Sequence, residues 1–213
     1  ELGATTSLFP SDERTRHYLK AQGRESDWTE LHADKDSKYE AIVELDLGSI
    51  EPMLAKPHSP DNVLPVRELS GTKIDQVCIG SCTNSSYQTL KSVASILKGR
   101  SVAENVNLLI NPGSKQAYEM LSREGLAGEM LASGARILEC SCGPCIGMGG
   151  SPGTGQISIR SYNRNFKGRS GNKEAFVYLA NPLACAVFAL KGELVDPRKA
   201  GFSIELSLEP SSY

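Results

Sequence analysis

Long apolar runs are missing from this 213-residue chain. The most hydrophobic helical stretch, near Leu183–Leu190, is far too short to span a bilayer, so no membrane role is expected. An excess of one charge is missing too: 23 Lys and Arg stand against 25 Asp and Glu, a net charge of −2, with the two signs interspersed. Without a basic stripe, nucleic acid and anionic lipid are not expected partners. Cysteine is scarce, six residues at positions 78, 82, 140, 142, 145 and 185. A disulfide-stapled secreted domain would be smaller and denser in cysteine. A reducing compartment, the cytoplasm, is therefore predicted, with thiols available for metal or redox work. No signal or transit pattern opens the chain. The first residues, "ELGATTSLFP", lack Met and read as a cut into something longer.

What is present divides into two parts, an upstream segment with an irregular connection over 1–72 and an α/β domain over 73–213. Residues 11–39 are polar, with a helical pattern around Glu13–Ala21. "YEAIVELDL" (39–47) alternates like a strand. The stretch 51–69, with four prolines, reads as a long irregular connection. From residue 73 short apolar strands alternate with helical patterns: "IDQVCIG", then "YQTLKSVASILKG", "VNLLI", "SKQAYEMLSREG", "EMLASG" and "ARILE". "ISIR", "AFVYLA" and the helical "PLACAVFALKG" follow. This alternation predicts an α/β fold, a three-layer α/β/α arrangement around a largely parallel sheet. In such sheets the working residues sit in loops after the carboxyl ends of strands.

Two of those loops carry cysteine. "ECSCGPCIGMGG" (139–150) holds three thiols within six residues, and "IGSCTNSS" (79–86) places Cys82 in a strand-to-helix turn with Thr83, Asn84 and Ser85 as candidate caps. Cys-Gly-Pro-Cys alone suggests a thioredoxin-type dithiol. Against that stand Ser141 before it, a Gly- and Pro-rich run after it, and a position far from the N-terminus. One thiolate from the first loop and a Cys-x-x-Cys from the second would instead suit a metal or cluster with one position open to substrate. The third motif, "SYNRNFKGR" (161–169), places two arginines five residues apart. It reads either as a solvated basic loop or as a clamp, since a guanidinium binds a carboxylate through two parallel hydrogen bonds.

"GSCTNSS", "CGPCIGMG" and "SYNRNFKGR" together resemble the aconitase family of 4Fe–4S hydro-lyases, in particular its third, cluster-carrying domain. "ELGATTSLFP" resembles the segment just upstream, so the likeness covers nearly the whole chain. The resemblance implies a 4Fe–4S cluster with Cys82, Cys142 and Cys145 as its ligands. It implies Asn163 beside the cluster, Arg164 and Arg169 on the carboxylates of a tricarboxylate substrate, and Glu1 as an active-site carboxylate. It leaves Cys140 as a bystander and gives no role to Arg160 or Lys167, which are expected to be surface charges. Cys78 and Cys185 are expected to be buried small apolar residues, and His17, His32 and His58 to be solvated.

The Gly-Pro within the cysteine pair resembles aconitate hydratase of a bacterial type, which interconverts citrate and isocitrate; a related isopropylmalate or homoaconitate hydro-lyase is the alternative. The family's serine base and its histidine–aspartate pairs are not recognisable in this chain. The remaining domains of the enzyme are therefore expected partners, and the isolated chain is expected to be inactive. A zinc or dithiol module and a cluster-free RNA-binding relative are the other readings.

Overall fold

A computed structural model describes residues 4–202. They fall into two compact units, 4–50 and 51–202. In the first, helix α1 (Glu13–Ala21) is capped by Asp12, whose carboxylate accepts from the N–H groups of Arg14 and Thr15. Arg16 donates to Glu25 at 3.1 Å and lies over the Trp28 ring, 5.3 Å from its centre. No residue of 4–50 is buried. The strand expected over 39–47 does not form among the described residues. Residues 39–46 are without regular structure, Leu47 begins a 3-10 turn (Leu47–Ser49), and Ile42, Val43 and Leu45 are exposed. Alternation supplies an apolar face, but a strand also needs a neighbour for its backbone groups, and this unit offers none there.

The second unit holds a seven-stranded sheet in the order β2-β1-β7-β6-β3-β4-β5. Its strands are β1 (Met53–Ala55), β2 (Val63–Pro65), β3 (Gln76–Gly80), β4 (Asn107–Asn111), β5 (Arg136–Ile137), β6 (Ile157–Arg160) and β7 (Phe176–Ala180). From β7 across to β5 every pairing is parallel, as the alternation of strands and helices predicts. The segment expected to be irregular is instead an antiparallel hairpin, β1–β2, which extends the sheet beyond β7. Its prolines conceal it. Pro65 ends the outermost strand, where a missing N–H costs no ladder bond, and Pro57 and Pro60 occupy the turn.

Helices α2 (Tyr87–Leu97), α3 (Lys115–Arg123), α4 (Leu126–Ala132) and α5 (Pro182–Lys191) form one connected layer, with α5 against β3 and α2. In α2, Leu90, Val93, Ala94 and Leu97 recur at helical spacing, and all are buried. The Ser86 hydroxyl caps this helix by accepting from Thr89 N–H at 3.2 Å. The three residues expected as caps, Thr83 to Ser85, lie ahead of it. In α5, buried Ala184–Ala189 surround Phe188, and Pro182 starts the helix behind the Asn181 cap.

The opposite face of the sheet is covered by the connection from β5 to β6, a glycine-rich loop with one 3-10 turn, Pro144–Ile146. Side chains alternate across a strand. Cys78 and Leu109 therefore share this face and pack with Cys145, Tyr162 and Leu138, while Val77, Ile79, Leu108 and Ile110 face the helices.

Candidate functional site

The chain runs from β3 outward to β4 and β5, then returns to β6 on the other side of β3. The carboxyl ends of β3 and β6 thus flank a topological switch point, where parallel α/β sheets place their ligand crevice. The Cys82 loop leaves β3 there. Gly80 has φ 129°, and a Cβ on it would collide with the backbone of Asn111, so only glycine fits. Ser81 also takes a positive φ, 75°. The loop is tied down on both sides. Gly80 N–H donates to Ser161 Oγ at 2.8 Å and Asn84 Nδ2 to Ser161 O at 2.6 Å, both beyond β6. Ser81 N–H donates to Asn111 O at 3.1 Å, on β4, and the Ser85 hydroxyl closes the turn onto Ser81 O. Cys82 is exposed and lies ahead of the Ser86 cap, so it does not sit at the helix N-terminus.

Asn111 also joins this loop to the next one. It is 1% exposed, and its side-chain amide donates to Glu139 O, next to Cys140. In the loop that follows, Cys140 and Cys142 are exposed and Cys145 is buried. Gly150 closes the turn: a Cβ there would stand 2.8 Å from Pro144 Cβ and 3.0 Å from Leu109 Cδ1. Cys78 and Cys185 are buried as expected, and burial pushes both thiols up.

In the third loop Arg169 is half-buried and donates to Cys145 Sγ at 3.5 Å. Asn163 is half-buried, and Arg164 and Lys167 are exposed. Asn165, which carries no role in the motif reading, is fully buried and donates to Lys56 O at 2.8 Å and Val177 O at 3.0 Å. His58 is not simply solvated: it is half-buried, bridges to Phe166 and stacks on Phe176 with ring centres 6.3 Å apart. The β1–β2 hairpin therefore braces the Asn-Arg loop. His32 is exposed and pairs with Glu30, and His17 is exposed. Glu1 lies outside the described residues.

The largest departure concerns Arg160. Expected at the surface, it is 0% exposed. Its Nε donates to Ser158 Oγ (3.0 Å), Nη1 to Pro144 O (2.5 Å), and Nη2 to Gln76 Oε1 (2.9 Å) and Gly150 O (2.6 Å). A signal for this was available. "ISIR" alternates, so if Ile157 and Ile159 share one face, Ser158 and Arg160 share the other, and in a central strand that face is also covered.

These three loops bring two sets of thiols and one arginine to the same end of the sheet. Among the described residues, buried side-chain atoms without a hydrogen-bond partner include Asn111 Oδ1, Tyr162 Oη, Asn165 Oδ1 and Ser170 Oγ. Burial holds the Tyr162 phenol well above its ordinary range. The loop thiols, with the Arg169 guanidinium on Cys145, fit an iron–sulfur cluster in donor type. They are not drawn into a closed ligand set: among the described residues no three His, Cys, Asp or Glu side chains are gathered to hold a metal ion.

The architecture and loops define a largely parallel α/β domain with thiol-bearing loops at the switch point. A sequence model of the aconitase family (aconitate hydratase) matches residues 1–73 and 67–192. The chain belongs to the aconitase family. It is 42% identical over 93% of its length to the 3-isopropylmalate dehydratase large subunit 2 of Archaeoglobus fulgidus, covering 48% of that protein. It is also 42% identical to large subunit 1 from Methanopyrus kandleri, over 93% of this chain and 47% of that one. The Thermotoga maritima large subunit 1 gives 42% over 93% of this chain and 48% of its own length. The chain thus spans about half the length of the curated relatives it matches. No helix among the described residues is long and apolar enough to cross a membrane.

Proposed function

We propose that this chain is the cluster-carrying part of an aconitase-family hydro-lyase of the 3-isopropylmalate dehydratase type. Gly143 and Pro144 between the paired cysteines favoured citrate. Relatives named for 3-isopropylmalate, matched along 93% of the chain, favour the alternative instead. The observation that carries the hydro-lyase reading is the contact of Arg169 with Cys145, because it puts a carboxylate-binding group beside a candidate cluster ligand.

Cys82, Cys142 and Cys145 are the proposed ligands of a 4Fe–4S cluster, with Asn163 beside it. When bound, the cluster supplies an open iron that acts as a Lewis acid on the leaving hydroxyl. Arg169 and Arg164 hold the substrate's carboxylates and fix which carbon faces the thiols. Glu1 is the proposed active-site carboxylate, the role that the family resemblance implies. The overall change is loss of water: hydroxyl leaves one carbon, a proton leaves its neighbour, and a double bond forms between them. The base that takes the proton belongs to the parts of the enzyme beyond this chain, including a companion subunit.

The test uses the full-length protein assembled with its companion subunit and reconstituted anaerobically with iron and sulfide. Dehydration of 3-isopropylmalate is expected to exceed that of citrate. Faster citrate turnover would restore the first substrate, and turnover of neither by a brown, cluster-loaded protein would remove the hydro-lyase reading. Cys142→Ser is expected to abolish the broad visible absorption, while Cys140→Ser retains it; the reverse would reassign the ligands.

A further inference from the structure

We propose that Arg160 is a positioning residue that latches the Cys142–Cys145 loop onto the sheet and sets a buried positive charge beneath it. The inference deepens the proposed function, resting on Cys142 and Cys145 as cluster ligands. Its first support is energetic. A guanidinium at 0% exposure loses its hydration, and an apolar side chain in a sheet interior would often be no less stable. Something other than sheet stability is gained by placing a cation here.

The acceptors show what that is. Two belong to the sheet, Ser158 Oγ and Gln76 Oε1, and Ser158 in turn donates to Gln76 at 2.7 Å, which fixes the base of the network. The other two are backbone carbonyls of the loop, Pro144 O and Gly150 O. They bracket Cys145, one on each side in sequence. The planar fork of arginine reaches both carbonyls and both sheet side chains at once; a lysine ammonium, a single point on a flexible stem, cannot. The Tyr162 ring lies over the guanidinium at 5.6 Å and packs with Cys145 and Cys78. The cation therefore lies under the loop that would bear thiolate charge, in a setting where charges are weakly screened.

The latch and the charge are separable. Arg160→Lys keeps the charge and loses the fork, whereas Arg160→Met loses both. The first measurement needs no cluster: site-resolved alkylation of Cys145 in the full-length, metal-free protein, with buried Cys185 as internal reference. Both variants are expected to label Cys145 about tenfold faster or more, the ratio that follows from losing one charge-assisted hydrogen bond. Cys185 is expected to be unchanged. Labelling of Cys145 at the parent rate in Arg160→Lys would overturn the latch. Should Arg160→Met fail to fold, Arg160→Lys carries this test alone.

The second measurement is the reduction potential of the reconstituted cluster. It is expected to fall in Arg160→Met, because the buried positive charge that favours the added electron is gone, and to hold in Arg160→Lys. Equal potentials in all three proteins would overturn the charge role. If the parent protein assembles no cluster, the proposed function fails, while the alkylation result still decides the latch.

Discussion

Along β3, neighbouring residues enter two different environments. Val77 and Ile79 point to a helical layer of aliphatic side chains and Phe188, whereas Gln76 and Cys78 point to a loop rich in glycine. Both faces are closed to solvent, but by different means. The helical face relies on apolar area, about 25 cal/mol per Å², together with dense packing that tolerates little change in volume. The loop face has few apolar side chains and is fastened by directed hydrogen bonds from Arg160, Asn111 and the Ser81–Ser85 turn. Apolar burial is non-directional and gives stability; hydrogen bonds of fixed geometry give placement. The loop cysteines and Arg169 belong to the second face and its edge, where placement matters more.

The contrast can be broken most forcefully from the helical side. Phe188→Ala removes a fully buried ring from α5, and the expected loss is about 3–5 kcal/mol of unfolding free energy, read from the urea midpoint. Alkylation of Cys145 in native buffer is expected to stay near the parent rate. A rise as large as that in Arg160→Lys would mean that the two faces are one cooperative unit.

A smaller and more local effect is expected at Asn111. Its carbonyl holds the Cys82 loop and its amide holds Glu139. Asn111→Ala removes the donor to the Glu139 carbonyl, a loss of about 0.5–1.5 kcal/mol. Because the backbone contact to Ser81 survives, the damage should be one-sided. Amide exchange is expected to speed up around 139–142 and to change little at Ser81. Equal acceleration in both loops would show that the side chain, not the backbone, sets the register between them.

The same contrast explains what could be read from the sequence. The helical layer was legible because apolar spacing, the glycine ends of helices and the strand–helix alternation all state one answer. The three loops were legible as motifs, since thiols and arginines at strand ends have few uses. Arg160 was not, because a charged residue at the end of a short strand looks exposed unless both faces of that strand are known to be covered. Asn111 ends an apolar strand and has no motif of its own. The hairpin 53–65 was hidden by prolines, and the alternation at 39–47 specified a face without a partner strand. For Arg160 and Asn111 the deciding contacts, Gln76 and Glu139, lie far away in sequence, where local pattern carries no information.

The smallest effect expected belongs to the outer rim of the helical layer, and it tests whether polar contacts there do more than those of the loop face. Lys91 on α2 donates to Glu124 at the end of α3 at 2.7 Å, and the Tyr87 hydroxyl donates to the same carboxylate. The Lys91 ammonium beside it, and then Tyr87, hold the Glu124 carboxyl below its usual range. A carboxyl held lower in the folded chain than in the unfolded one adds stability above the ordinary carboxylate pKa. That contribution disappears as pH falls through the lowered folded value. The side chains of Lys91 and Glu124 are 40% and 42% exposed, so solvent screening keeps the contribution at or below about 1 kcal/mol. Urea midpoints of the parent and Lys91→Met, compared from about pH 7 down to about pH 3, should differ most at the neutral end and converge in acid. A difference that stays constant with pH would show that the aliphatic stem of Lys91, lying on α2 beside Tyr87, contributes by packing and not by charge. The rim would then be held by the same apolar burial as the helical face beneath it, and directed polar contacts would be confined to the loop side of the sheet.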